Sequence, residues 1–328
     1  MSSPALLSYP SALCLPNEPE HPPLAPNAVN ALCAFFTLSY VASIYLSRAG
    51  RLAFHAPPVH VRDGEERVRV ANERWRNDPQ VIRARLIAVT LSTLASGLVL
   101  GVMLHRVGKC DEPITSVGHT FKILGLGWNL PTLHSWKPYL LAPILFIGPL
   151  YVEVLELLGP FRVAWSWEQD IIEKFFSWQG IRNYIVAPIT EELVFRSCVV
   201  SVMVLGGSSI TRMVFISPMW FGIAHAHHAW ELYNIYGRTK QALQRAIITC
   251  LVQLTYTTLF GWFCAFLFLR TESIYPVIFS HIFCNVMGLP SPTYATTRYK
   301  SRATVIWIAY VVGIIGFASA LGPWSRRT

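Results

Sequence analysis

Long apolar segments alternate with polar loops along this chain, and eight of the segments are close to the ~20 residues that a helix needs to cross a bilayer. They are approximately 28–47, 84–105, 138–159, 183–205, 209–229, 245–269, 275–290 and 303–322. The pattern predicts an all-α, polytopic membrane protein with about eight transmembrane helices. Segment 138–159 contains prolines and glutamates and segment 275–290 is short, so we expect one or two spans to be partial or tilted.

Composition supports a membrane protein, because 53% of the 328 residues are hydrophobic and 14% are charged. Soluble domains carry roughly 25% charged residues, and the mean hydropathy of this chain is +0.40. An ordinary soluble domain is therefore excluded. The seven cysteines form no CxxC pair and no regular framework, which argues against disulfides and against a structural zinc site.

The net charge of +9 would also fit a nucleic-acid-binding protein, but the basic residues lie mainly in loops between the apolar segments. They concentrate in loops 48–83, 160–182, 230–245 and 290–302. Basic loops are typical of the cytoplasmic side of a membrane protein. We therefore expect these loops to face the cytoplasm, and we expect no nucleic-acid partner.

Three charged residues interrupt the apolar segment 183–205: Glu191, Glu192 and Arg196. A charge at the bilayer centre costs about 2.5–3.5 kcal/mol on insertion scales, so such residues usually have a function. Glu192 and Arg196 are four residues apart with the acid first, which favours a buried structural ion pair. Glu191 points about 100° away from Glu192 on a helix, so it does not share the face that carries Arg196. Its carboxylate is therefore a candidate general base. The alternative is that all three residues hold helices together.

The next apolar segment ends with Phe221 and His225 on one helix face. His227 and His228 follow, beside Trp230. Histidines next to a tryptophan are typical of the membrane edge, and we assign His227 and His228 to that position. His225 is the stronger functional candidate because a later segment offers it polar counterparts.

Those counterparts are His281 and Asn285, which are four residues apart on one stripe of an apolar helix. By themselves they are explained equally well as interhelical hydrogen-bonding groups. Together with Glu191 and His225 they supply a carboxylate, two imidazoles and an amide to a membrane interior. Hydrolysis of an amide by water needs such groups, because a base must activate the water and donors must stabilise the oxyanion.

These residues form three ordered patterns with a four-residue spacing. The patterns are Glu191-Glu192-x-x-x-Arg196, Phe221-x-x-x-His225 and His281-x-x-x-Asn285. They resemble the three motifs of the type II CAAX prenyl endopeptidases, the Ras-converting enzymes among the glutamate-type intramembrane proteases of the abortive-infection family. The resemblance covers roughly residues 183–290.

The resemblance implies removal of the C-terminal tripeptide aaX from proteins that end in Cys-a-a-X, after the cysteine has been prenylated. Implied substrates are farnesylated or geranylgeranylated CaaX proteins such as Ras-like small GTPases, which would be cut without a metal or cofactor. The implied setting is the endoplasmic reticulum membrane. There, a conical intramembrane cavity would open toward the cytoplasm, and the prenyl chain would enter from the lipid.

The resemblance also implies a role for each motif residue. Glu191 with His225 would activate the water, and His281 with Asn285 would stabilise the tetrahedral oxyanion. The residues that would shape the site are Glu192, Arg196 and Phe221.

Three other readings use the same residues. A zinc protease could take Glu191, His225 and His281 as ligands, although the chain has no HExxH motif. A cysteine protease could use Cys284 with His281, although the thiol lies in an apolar segment with no evident cationic partner. A proton-coupled transporter or channel could use intramembrane Glu and His residues as a relay.

These predictions divide the chain into two parts. Residues 1–137 would hold an N-terminal tail, two transmembrane helices and the connecting basic and surface loops. Within this part we expect a surface helix near 65–76 and a loop on the membrane surface over 106–137. Residues 138–328 would form the catalytic membrane core, with the motifs inside 183–290.

Overall fold

The computed structural model describes residues 22–62, 65–107, 113–127, 136–158 and 165–325. Helices dominate these ranges, which contain a single isolated antiparallel bridge, between Ala53 and Arg74, and no named strand. The predicted all-α class is therefore confirmed. The division at residue 137, whose N-terminal tail lies largely outside the described residues, stays a prediction.

The helices are α1 (Pro26–Leu46), α2 (Pro79–Val107), α3 (Pro113–Ile123), α4 (Leu141–Leu145), α5 (Ile147–Leu158), α6 (Trp178–Gly180), α7 (Ala187–Glu192), α8 (Val199–Leu205), α9 (Ile210–Ala224), α10 (His228–Ile235), α11 (Lys240–Thr271), α12 (Tyr275–Met287), α13 (Pro292–Arg298) and α14 (Ala303–Trp324). Turns of 3₁₀ helix cover Lys137–Leu140 and Lys300–Arg302, and π-helical turns cover Glu168–Phe176, Ile181–Val186 and Leu193–Cys198.

Four helical stretches in the described part of the chain are long and apolar enough to cross a membrane. They are α1, α2, α11 and the stretch Lys300–Trp324 that contains α14. A fifth span is possible if α4 and α5, which meet at an angle of 69°, cross the membrane together. Pro149 explains this bend, because a proline removes a helical hydrogen bond and its ring clashes with the carbonyl of residue i−4, here Leu145. The chain is thus an integral membrane protein.

The other predicted spans are shorter or interrupted. Helix α9 has 15 residues and α12 has 13, both below the ~20 that span a bilayer. Segment 183–205 consists of α-helical pieces separated by π-helical turns on either side of α7. The predicted count of eight spanning helices is therefore not confirmed.

Two loop predictions are wrong. Residues 65–76 form no helix, because the Glu73 carboxylate accepts hydrogen bonds from the backbone N–H groups of His55 and Ala56 and ties this stretch to the opposite side of the loop. The stretch 106–137, expected as a loop, contains the 11-residue helix α3, which begins at a proline. Parts of that stretch, 108–112 and 128–135, lie outside the described residues.

The chain folds as two compact units. The first unit comprises Met1–Leu124 and Thr190–Phe266, and the second comprises Gly125–Ile189 and Leu267–Thr328. In the first unit, fully buried aromatic side chains such as Phe36, Phe195 and Phe221 fill the core. In the second unit, a core cluster forms between helices α5, α13 and α14 around Ile306.

Candidate active site

The interior of the first unit holds a buried ion pair between Glu192 and Arg196. Arg196 Nη1 lies 3.1 Å from Glu192 Oε1, and the two side chains are 2% and 0% exposed. The guanidinium carbon of Arg196 also lies 4.5 Å from the centroid of the Phe221 ring, within the range of a cation–π contact. The pairing expected from the four-residue spacing is present. The contact between Arg196 and Phe221 joins the first motif to the second.

Glu191 lies in a different environment from its neighbour Glu192. Its side chain lines a cavity of about 50 Å³ in the first unit, and His225 lines the same cavity. The other lining residues are Tyr40, Val41, Ile44, Phe195, Ala224, His227 and His228. A water needs roughly 10–15 Å³ of such space, so this cavity has room for more than one.

His225 caps the C-terminus of α9 and is oriented through one ring nitrogen. Nδ1 lies 2.9 Å from the carbonyl oxygen of Phe221. A carbonyl can only accept a hydrogen bond, so Nδ1 carries the proton and Nε2 is the basic nitrogen of the neutral ring. The His225 ring also packs edge-on against Phe221 at 4.7 Å. The Phe221-x-x-x-His225 spacing thus fixes both the tautomer and the ring plane of this imidazole.

Three of the polar residues in the cavity wall were not identified as such from the sequence. His227 and His228, assigned to the membrane edge, lie in the cavity wall, and His228 is 9% exposed. His228 Nδ1 lies 3.4 Å from a carboxylate oxygen of Glu231. Tyr40 reaches the cavity from α1. The close spacing of His227 and His228 to His225 was an available signal, whereas nothing in the sequence distinguishes Tyr40 from other aromatic residues of a span.

The loop before α2 contains a buried polar cluster around Glu73. Glu73 is buried and pairs with Arg67 at 2.7 Å, and it also accepts hydrogen bonds from Trp75 Nε1 and two backbone N–H groups. Burial opposes the ionisation of Glu73. The hydrogen bonds from Arg67, Trp75 and the backbone outweigh it and hold the pKa of this carboxyl well below its usual range.

The same loop binds the end of α10. Arg67 donates from its backbone N–H to the carbonyl of Ile235 and from Nε to the carbonyl of Asn234. In return Arg238 donates to the carbonyl of Phe54 at 3.0 Å. Because α10 begins at His228, these bonds restrain the helix that follows the His225 turn.

His281 and Asn285 lie on helix α12 of the second unit. His281 is buried, and Asn285 Nδ2 donates to the carbonyl oxygen of Asn183 at 2.9 Å. An amide nitrogen carries two hydrogens, so this bond orients Asn285 and leaves a second donor on the same nitrogen. The helix ends at Gly288, whose φ of +69° favours glycine.

Aromatic packing within the second unit fixes the position of α12. The ring of Phe283 lies 5.6 Å from that of Phe146, and the ring of Phe279 lies 5.6 Å from that of Tyr139. Both pairs are edge-to-face, a favourable geometry for aromatic rings. These contacts hold the helix that carries His281.

Metal-ligating residues are not clustered in the ranges that the structure covers, where no group of three His, Cys, Asp or Glu side chains could hold a metal ion. Cys284 is a free, half-buried thiol on α12. The structure thus places Glu191 and His225 on one cavity of the first unit and His281 and Asn285 on one helix of the second.

Comparison with known proteins agrees with these motifs. The family model "Type II CAAX prenyl endopeptidase Rce1-like" matches residues 173–287. A Schizosaccharomyces pombe protein named "Probable CAAX prenyl protease 2" is 31% identical over 88% of this chain and 90% of its own length. No solved structure matches the chain.

Two further relatives carry the name CAAX prenyl protease 2. The Arabidopsis thaliana protein is 31% identical over 74% of this chain and 78% of its own length. The Homo sapiens protein is 30% identical over 74% of this chain and 72% of its own length. The similarity therefore extends well beyond the motif region, and this chain belongs to the family of type II CAAX prenyl endopeptidases.

Proposed function

We propose that this protein is an intramembrane endopeptidase that releases the aaX tripeptide from prenylated CaaX proteins. Membership of the CAAX prenyl protease 2 family supports the reaction class. The observation that supports the mechanism is the cavity shared by Glu191 and His225, because it offers a carboxylate and an imidazole to the same water.

In the proposed mechanism, Glu191 with His225 takes a proton from water, and the water oxygen bonds to the carbonyl carbon of the prenylcysteine. The tetrahedral oxyanion accepts hydrogen bonds from His281 and Asn285. The carbon–nitrogen bond then breaks as the leaving amine receives the proton that Glu191 and His225 took from the water. The products are a protein ending in prenylcysteine and a free tripeptide. No metal or cofactor takes part.

The buried Glu192–Arg196 pair, with Phe221, has a shaping role in this proposal. A charged pair this deeply buried is rigid, because separating its members would leave a charge without compensation. It fixes the helix turn that carries Glu191. Phe221 links the pair to His225, since it contacts Arg196 on its face and the imidazole at 4.7 Å.

The substrates in this proposal are farnesylated or geranylgeranylated CaaX proteins, including Ras-like small GTPases. The prenyl chain enters laterally from the lipid, where its CH₂ groups are already buried. The enzyme acts in the endoplasmic reticulum membrane with its site open toward the cytoplasm. The basic loop 48–83 supports this orientation. Protease digestion of sealed microsomes tests it, since the orientation requires that loop to be cut without detergent.

The decisive experiment measures release of the tripeptide from a farnesylated Cys-a-a-X peptide by purified protein in detergent, with and without EDTA. Cleavage that survives EDTA and is lost in Glu191→Ala supports the proposal. Glu153→Ala is the matched control, because it also removes a glutamate from an apolar helix. Loss of activity with EDTA and recovery with zinc would favour a metalloprotease. Absence of cleavage by the folded wild type would contradict the proposal and favour transport.

A further inference from the structure

Tyr40 on α1 lines the cavity wall and lies outside the three motifs. It is 9% exposed, and it lines the cavity with Glu191 and His225 although it is about 150 residues away in sequence from the first of them. Helix α1 lies outside residues 173–287, the range that matches the family model. The role of this side chain therefore has to be derived from its contacts.

The hydroxyl of Tyr40 is bonded to the residue that precedes Glu191. Tyr40 Oη lies 3.0 Å from Thr190 Oγ1, and Thr190 is 5% exposed. A hydrogen bond between two buried hydroxyl groups is costly to lose, because a buried polar group left unsatisfied carries a desolvation penalty. This bond connects α1 to α7 at the position immediately before the proposed base. It restrains rotation of α7 and hence the direction of the Glu191 carboxylate.

The ring of Tyr40 is fixed by a separate series of contacts. It packs edge-on against Phe195 at 5.7 Å, and Phe195 packs against Phe221 at 5.2 Å. Phe221 in turn contacts the His225 ring at 4.7 Å. Tyr40 is thus held by its hydroxyl beside Glu191 and by its ring at the start of an aromatic row that ends at His225.

We propose that Tyr40 is a positioning residue for peptide cleavage: its hydroxyl holds Thr190 and thereby keeps the Glu191 carboxylate directed into the cavity beside His225. The inference rests on the proposed function. It separates two properties of Tyr40, since the ring supports packing whereas the hydroxyl acts on the geometry of the base. Removing only the hydroxyl should therefore slow the chemical step and leave the fold intact.

The test compares Tyr40→Phe, Thr190→Val and the double variant, with kcat and KM measured on a farnesylated Cys-a-a-X peptide and the melting temperature in detergent. Each single substitution removes the same hydrogen bond and keeps side-chain volume. We expect each to lower kcat about tenfold, the effect of one lost hydrogen bond. KM and the melting temperature should stay close to wild type. The double variant should be no slower than either single variant, because both act through one bond.

Two further variants complete the design. Thr190→Ser restores a hydroxyl at the same position and should recover most of kcat. Tyr310→Phe removes a tyrosine hydroxyl from α14 and should leave kcat unchanged. These variants keep the test informative if Tyr40→Phe fails to fold, because Thr190→Val and Thr190→Ser address the same bond from its other end.

Several results would overturn the inference while leaving the proposed function in place. One such result is a Tyr40→Phe variant with the kcat of the wild type. Another is a double variant whose loss of kcat equals the product of the losses in the two single variants. A loss of activity that only follows a lowered melting temperature would also overturn it, since that would make Tyr40 a packing residue. A wild-type protein that cuts no prenylated peptide would refute the proposed function, and this inference with it.

Discussion

Arg196 Nη1 lies 3.1 Å from Glu192 Oε1 in the buried interior of the first unit, while the adjacent Glu191 lines a cavity. Consecutive residues on a helix point about 100° apart, so one backbone turn presents two carboxylates to two environments. One carboxylate is neutralised by a guanidinium, and the other faces space large enough for water. Stability and chemistry should therefore depend on different members of this pair of glutamates.

We expect Glu192→Gln to lower the stability of the protein and Glu191→Gln to abolish its activity. Glu192→Gln leaves the Arg196 charge buried without its anion and should destabilise the protein by about 3–5 kcal/mol. Glu191→Gln removes the proposed base and should abolish cleavage with little change in the melting temperature. Thermal unfolding in detergent and the rate of tripeptide release measure the two effects. A stable, inactive Glu192→Gln together with an active Glu191→Gln would reverse our assignment.

Asn285→Ala should lower kcat by about 10²–10³-fold, the usual cost of losing an oxyanion donor. The Asn285 amide is oriented by the carbonyl oxygen of Asn183, which is a backbone group. Asn183→Ala therefore keeps the acceptor and serves as the matched control, with kcat near that of the wild type. His281→Ala should abolish cleavage. Equal effects of Asn285→Ala and Asn183→Ala would show that the amide acts only through local packing.

The Arg67–Glu73 cluster predicts a pH dependence of stability. The pKa of Glu73 is lower in the folded protein than in the unfolded chain. Its contribution to the free energy of unfolding is therefore present above the unfolded pKa of about 4.3 and is lost as the pH falls through the folded pKa. The melting temperature of Glu73→Gln should be below that of the wild type at pH 7. The gap should shrink as the pH is lowered from about 5 toward 3.

Glu66→Gln is the control for this experiment, because Glu66 is an exposed carboxylate in the same loop. It should show no such gap at any pH. A difference between wild type and Glu73→Gln that stays constant from pH 7 to pH 3 would mean that the carboxylate of Glu73 is not the ionising group responsible.

Local spacing predicted the parts of the site that depend on one helix turn. The Glu192–Arg196 pair and the Phe221–His225 contact are both four-residue relationships, which a helix brings together whatever surrounds it. The contact between Tyr40 and Thr190 joins residues 150 positions apart, and no periodicity encodes such a separation. This contact depends on how α1 packs in the folded protein.

The predicted surface helix at 65–76 failed for a related reason. Its charged residues looked solvated, yet Arg67 and Glu73 are 5% and 2% exposed and pair with each other. A buried ion pair in a loop depends on partners from elsewhere in the chain, here the backbone of His55 and Ala56. Helix propensity is a weak preference, and tertiary hydrogen bonds of this kind outweigh it.

Gly261 on α11 provides a test of how tightly the core around the ion pair is packed. A Cβ atom at this position would lie 2.5 Å from Pro218 Cβ and 3.3 Å from Arg196 Nη2. The proline ring cannot rotate away, so Gly261→Ala should displace α9 or α11 and destabilise the protein by about 1–3 kcal/mol. It should also lower kcat, because the Arg196 side chain has to move.

Gly97→Ala on α2 is the matched control, since a Cβ there meets nothing within 4 Å. An alanine is a better helix former than glycine by about 1 kcal/mol, so this variant should melt at or above the wild-type temperature. Opposite shifts of the two variants would show that close packing at Gly261, and not glycine content, sets the stability of this region. A melting temperature of Gly261→Ala at or above that of the wild type would contradict this prediction. It would mean that Pro218 and Arg196 leave more space beside Gly261 than the structure shows.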